Sequence, residues 1–226
     1  MVYKWLEPLC PLCRCPAGSD HGLCAVCMAD LPWLGHACRR CALPLPATAG
    51  DTCGPCLRRP SPVERTVCAL RYEGSVPALV AGFKFHRNLA AGAALATVLA
   101  TALDEALAAE PIPDALVPVP LHPSRLRRRG YNQAVELAQP LAQRWQRPVL
   151  KHAVVRQLAT ADQIGLSALQ RRRNLRNAFA VRDAIPNHVA IIDDVLTTGA
   201  TVLTLAKTLR RAGVERIDVW CLARTV

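Results

Sequence analysis

The sequence is short of aromatic residues, of acidic residues and of long apolar runs, and each shortage narrows what the chain can be. Phe, Tyr and Trp together make up 4% of 226 residues. The basic clusters carry no interleaved aromatics on which bases usually stack, so a hold on nucleic acid is expected to be led by phosphate contacts. Asp and Glu number 17 against 28 Lys and Arg, a formal charge of +11. That surplus favours anionic partners: phosphates, nucleotides or nucleic acid. The longest uncharged apolar stretch, residues 89–103, has 15 residues and is rich in Ala. It is too short to span a bilayer comfortably, so it reads as a buried helix and no membrane insertion is expected. Residues 1–8 carry Lys4 and Glu7 without an apolar core, so no signal peptide is read there and a cytoplasmic chain is expected. Two common phosphate loops are missing as well, G-x-x-x-x-G-K-[ST] and G-x-G-x-x-G, which excludes the usual P-loop and dinucleotide fingerprints.

Cysteine is abundant and unevenly placed. Ten of the 11 cysteines lie between residues 10 and 68. Eight form four C-x-x-C pairs: Cys10 and Cys13, Cys24 and Cys27, Cys38 and Cys41, Cys53 and Cys56. A C-x-x-C turn aims two thiolates at one point, and two such turns complete a tetrahedral Zn²⁺ site. The segment also repeats itself, since Leu-Cys-Ala-Val-Cys-Met-Ala-Asp-Leu-Pro is similar to Thr-Cys-Gly-Pro-Cys-Leu-Arg-Arg-Pro. The simplest pairing is sequential, giving one or two structural zinc ions; a cross-braced pairing is the alternative. Cys15 competes for the first site, and His21 and His36 are spare ligands. Disulfides are not expected in a cytoplasmic chain. With two zincs, eight thiolates and two dications lower the charge to about +7. Cys68 and Cys221 fall in strand-like runs and read as core.

Pro60 and Pro62 mark a linker between Arg58 and Glu64. It divides a zinc-ribbon module, residues 1–60, from an α/β module, residues 64–226. Hydrophobic content of 51% is ample for the second core. Strands are expected over 66–72 and 115–120, helices through Leu79, Val80 and Phe83 and from an Asn88 cap to about 109, and a last strand over 216–223.

The α/β module is organised around residues 189–201. Val189, Ala190, Ile191 and Ile192 read as a buried parallel strand. Asp193 and Asp194 follow, then Thr197, Thr198, Gly199, Ala200 and Thr201. Val202, Leu205, Ala206 and Leu209 then share one helical face, with Arg210 and Arg211 in its last turn and Gly213 to end it. A strand, a loop and a helix N-terminus in that order form a ligand site in open α/β sheets. Helix N–H groups and Thr hydroxyls suit a phosphate, and Gly199 allows close approach. Two carboxylates one step away suit a vicinal diol such as that of a ribose.

This stretch resembles the phosphoribosyl pyrophosphate (PRPP) signature of type I phosphoribosyltransferases, where the acidic pair binds the ribose hydroxyls and the Thr-Thr-Gly-x-Thr turn binds the 5-phosphate. The resemblance implies an open parallel sheet with helices on both faces. A loop over residues 121–129 carries Arg125, Arg127, Arg128 and Arg129. Its plain reading is a solvated basic loop. Its place after a core strand instead suits a pyrophosphate, with Arg125, Arg129 and Asn132 as the candidates, because Arg offers planar bidentate donors. Residues 156–176, with Arg156, Thr160 and Gln163, read as a lid or as a surface connection.

The cysteine knuckles, Val-Pro-Val-Pro-Leu-His, Arg-Arg-Gly-Tyr-Asn-Gln, Gln163-x-Gly-Leu-Ser, Arg-Arg-x-Asn-Leu, the Asp-Asp stretch and the terminal Leu-Ala-Arg-Thr together resemble the competence protein F (ComF/GntX-type) family, phosphoribosyltransferase-like proteins with an N-terminal zinc ribbon. The resemblance implies a link to DNA uptake in transformable bacteria. It leaves two functions open. One is pentosyl transfer from PRPP with Mg²⁺, Asp193 and Asp194 positioning the ribose. The other is a non-catalytic platform for single-stranded DNA that works with other DNA-uptake proteins.

Overall fold

The computed structural model describes residues 9–17, 22–85, 89–157 and 178–226. His21, His86, Asn88 and most of the 156–176 segment, including Thr160 and Gln163, lie outside the described residues.

The first module is built twice from one local pattern. Around the first knuckle Leu9 bridges Pro16, and around the third Ala37 bridges Pro44. Cys10 N–H donates to Cys15 O and Arg14 N–H to Cys10 O, at 2.8 and 2.9 Å. Cys38 N–H donates to Leu43 O and Ala42 N–H to Cys38 O, both at 2.8 Å. Arg14 and Ala42 close these turns with φ of 65° and 53°. The other two knuckles each open a short helix, α1 (Ala25–Ala29) capped by Cys24 and α2 (Gly54–Leu57) capped by Cys53.

The second module is a four-stranded parallel sheet in the order β1-β6-β5-β2, from β1 (Arg65–Arg71), β2 (Ala115–Pro118), β5 (His188–Leu196) and β6 (Arg216–Arg224). β3 (Val154–Arg156) and β4 (Phe179–Val181) form a separate antiparallel pair. Helices α3 (Val76–Phe85), α4 (Leu89–Leu107) and α6 (Gln133–Trp145) cover one face of the sheet. The other face is covered by α7 (Ala200–Arg211) with the β3–β4 pair. Strands buried on both faces read as unbroken apolar runs, and Val189 to Ile192 are each 0% exposed. β6 alternates as a strand must: Ile217, Val219 and Cys221 join the α7 side, Trp220 and Leu222 the other.

Residues 89–103 do form a core helix. α4 is long and apolar enough to cross a membrane, and half of that window is buried inside the protein, against α6, β1 and β6. One expectation changes. The arginine loop contains a helix, α5 (Pro123–Arg129). His122 caps it, Pro123 opens it, and Gly130 ends it at φ 85°. A cap, an N1 proline and an αL glycine are sufficient start and stop signals.

The ribbon does not hang free. Leu34 N–H donates to Ala69 O at 2.9 Å and Arg71 N–H to Pro32 O at 2.8 Å, so Trp33 and Leu70 pair antiparallel along the outer edge of β1. Cys10, Leu23 and Leu31 join the core of the α3–α4–α6 side. Gly22, at φ 71°, sits where an added Cβ would lie 3.2 Å from the Cβ of Ala94. The space left between ribbon and α4 is a cleft of about 740 Å³ whose lining includes Trp33, His36, Arg65, Cys68, Thr101 and Glu105.

Candidate functional site

The acidic pair sits where β5 leaves the sheet. Asp193 stands in register with Cys221 of β6. Asp193 Oδ1 accepts from Asp194 N–H at 2.9 Å, and Asp194 Oδ1 from Val195 N–H at 2.8 Å. These bonds fix both carboxyl groups against the backbone. Strand alternation turns the two side chains to opposite faces.

On the α3 side, Lys84 Nζ lies 2.7 Å from Asp194 Oδ2. The charge of the same carboxylate also acts on Arg129. Burial lowers its guanidinium below the ordinary value, and the Asp194 charge opposes that shift. On the β3 side is Arg156, lowered by burial and then by Arg125, with Asp193 opposing. The Asp193 carboxyl is pushed up to about 7, first by burial and then by Asp194. Lys84 thus brings a cation from a distant element to the acidic pair.

The turn that follows has the expected form. Thr197 and Thr198 are exposed, and Gly199 caps α7 at φ 75°, a left-handed conformation that favours glycine. Thr198 Oγ1 accepts from Ala200 N–H at 3.4 Å. The first-turn N–H groups of α7 form the positive end of a 12-residue helix, which is suited to an anion. Thr201 is half-buried in that turn.

Not every expected ligand is offered to this site. Asn132 caps α6 with Oδ1, accepting from Ala134 N–H at 3.0 Å, and its Nδ2 donates to Val119 O at 3.0 Å. Its amide therefore ties the start of α6 to the residue that follows β2. Arg129 Nη1 donates to Gln133 Oε1 at 2.7 Å. Lys84 was not singled out by sequence, because a lysine in a last helical turn reads as a dipole partner. Arg224 was also missed. It is 8% exposed and donates to Cys41 O at 3.1 Å, Leu196 O at 2.9 Å and Thr197 O.

The cysteines form two groups, Cys10, Cys13, Cys24 and Cys27, then Cys38, Cys41, Cys53 and Cys56, with the sulfurs of each group within 4.8 Å of one another. This is the sequential pairing, with four thiolates per site. Such a donor set fits a closed structural Zn²⁺ site. Backbone N–H groups support the sulfurs: Cys27 N–H reaches Cys24 Sγ at 3.5 Å and Cys53 N–H reaches Cys38 Sγ at 3.3 Å. Burial alone would raise Cys10, but N–H donors from Cys13, Cys24 and Leu12 bring it down to about 6. Cys15 is exposed and outside the first group, and His36 lines the cleft beside α4.

Residues 5–57 match the family model of the double zinc ribbon domain. Over 228 residues the chain is 41% identical to DNA utilization protein YhgH of Salmonella typhi, covering 96% of this chain and 97% of the relative. It is 40% identical to the protein of the same name from Escherichia coli K12 over 226 residues, with the same coverage. It is 38% identical to competence protein F of Haemophilus influenzae over 215 residues, covering 91% of this chain and 92% of the relative.

Proposed function

The chain belongs to the family of DNA utilization protein YhgH and competence protein F, and on that premise we propose that it binds PRPP, or a related ribose 5-phosphate, at the carboxyl end of β5. The proposal extends to the division of labour along the chain. Residues 1–60 hold two structural zinc ions, and residues 64–226 carry the phosphoribosyl pocket.

The observation that supports the pocket is the Lys84–Asp194 ion pair at the carboxyl end of β5, just before the α7 N-terminus. The carboxylates accept from the ribose diol. Thr197, Thr198, Gly199, Ala200 and Thr201 hold the 5-phosphate. Arg125 and Arg129, now on a helix, face the pyrophosphate. Mg²⁺ is a hard ion that binds through one or two carboxylates plus phosphates, and Asp193 and Asp194 fit that demand; when bound it would neutralise charge on the leaving pyrophosphate. The transfer reading makes the chain a pentosyltransferase with an acceptor still to be identified. Calorimetric titration of PRPP with Mg²⁺ into zinc-replete protein tests the pocket, and saturable binding is expected. Heat no larger than dilution would reject it.

Lys84 gives a sharper expectation. PRPP is strongly anionic, so a cation beside the ribose acceptors should assist binding, even though it must share Asp194 with the ligand. One charge-assisted hydrogen bond is worth about 1.5–3 kcal/mol. Lys84→Met is therefore expected to weaken PRPP binding about tenfold. Tighter binding by the variant would show that Lys84 blocks the site.

A second reading, single-stranded DNA as ligand, is favoured by α5, whose last turn carries Arg127, Arg128 and Arg129. Phosphate-led binding weakens steeply with salt. Affinity for a short oligonucleotide is expected to fall by orders of magnitude from low to physiological salt. A flat salt profile, or no binding at low salt, would remove DNA from the proposal.

A further inference from the structure

The basic surface is not without an aromatic. Phe85 ends α3 and is 64% exposed, while Phe83, two residues earlier, is 0% exposed and supplies the packing of that helix end. Phe83 lies 5.8 Å from the Tyr131 ring, which ties the end of α3 to the segment between α5 and α6. Phe85 is thus an apolar ring at the surface, at the end of α3. Its surroundings are specific. The preceding side chain, Lys84, holds Asp194 at 2.7 Å. The guanidinium carbon of Arg129 lies 5.2 Å from the Phe85 ring centroid. Arg129 is itself anchored by Gln133, which is 2% exposed. Ring and guanidinium are therefore paired, one residue along the chain from the lysine that holds Asp194. A cation over a ring is favourable, and both planar groups offer faces to a further planar ligand. An exposed aromatic beside a guanidinium is the kind of element on which bases stack in single-strand binding surfaces.

We infer that Phe85 and Arg129 form a stacking platform for a nucleobase beside the acidic end of β5. The free-base source rests on the PRPP pocket proposed above; the platform itself rests on the ring and the guanidinium. Stacking depends on the π-face that every base has, so the site is tolerant of base identity. Two sources share this chemistry: a base within a single strand, and a free base delivered to a bound ribose phosphate.

The test compares a short fluorescein-labelled oligothymidylate with an abasic strand of equal length, by anisotropy, on full-length zinc-replete protein. Wild type is expected to favour the base-bearing strand about tenfold, within the range of one aromatic–base stack. Phe85→Ala should abolish that preference while leaving the abasic affinity unchanged, and Phe85→Trp should restore it. If the strands bind equally to wild type, adenine titrated onto the PRPP–Mg²⁺ complex decides the source: adenine binding that Phe85→Ala abolishes supports a free base. If neither strand nor adenine responds to Phe85→Ala, the platform is wrong. The failures stay separable, because Phe85→Ala should leave PRPP affinity alone. Loss of PRPP binding in wild type, with base preference kept, would remove the pocket and leave the platform.

Discussion

Asp193→Asn combined with Asp194→Asn is expected to weaken PRPP binding by at least about a hundredfold. Hydrogen bonds to charged groups contribute about 1.5–3 kcal/mol each, and two of them correspond to a factor above about 100 in Kd. The sign of this change separates two accounts of the site. If the acids mattered only as charges, removing them beside an anionic ligand would strengthen binding. If they accept from the ribose diol, PRPP affinity falls while inorganic pyrophosphate binds as well as before or better. Calorimetry with both ligands distinguishes these outcomes, and unchanged PRPP affinity would end the phosphoribosyl reading.

The raised Asp193 carboxyl, at about 7, adds a pH signature. Below that value the group is protonated and is a poor acceptor for a hydroxyl, so wild-type affinity should climb as pH rises through about 7. In the single variant Asp193→Asn that climb should flatten. Stability moves in the opposite sense. A carboxyl raised above its unfolded value of 3.8 binds more protons when folded, so its contribution falls as pH rises from about 4 to 7. Asp193→Asn should therefore melt higher than wild type at pH 8, by on the order of 5 °C, with the difference shrinking toward acid pH.

Removal of zinc carries the second large effect. Metal analysis should find two zinc ions per chain, one for each cysteine group. A strong chelator is expected to lower Tm by about 10 °C or more and to cause aggregation. Metal-dependent folding of such modules is worth about 10–16 kcal/mol in isolated peptides. Here the ribbon also covers the outer edge of β1 and places Cys10, Leu23 and Leu31 in the main core. An uncovered strand edge is a template for association. A melting curve unchanged by loss of both metals would mean that the α/β module stands without the ribbon.

What the sequence made legible was local. Residues 189–192 announced a buried strand, and Val202, Leu205, Ala206 and Leu209 are all buried on one face of α7. The four knuckles paired in order, because short spacers favour neighbours. What stayed hidden was either contact between distant segments or a choice between two local uses. Lys84 reaches Asp194 across most of the α/β module, and no spacing rule connects them. The arginine stretch reads as a loop by its charge, yet it is a helix bounded by His122 and Gly130. Asn132 is of a type that can bind ligands or cap helices, and it caps α6. The ribbon's seat along β1 is set by edge pairing, which leaves no mark in the order of residues.

Arg224 gives that seat a thermodynamic meaning. One guanidinium holds the carbonyl of Cys41, in the second metal group, together with the carbonyls of Leu196 and Thr197, at the phosphate turn. The metal centre and the turn therefore share a structural member. If an anion at the turn were to change the affinity for the metal through this shared side chain, the metal would change the affinity for the anion by the same factor. On this view the ribbon is more than a cover for the sheet. The residue that seats the second metal group against the sheet is the same one that holds the carbonyls of the turn.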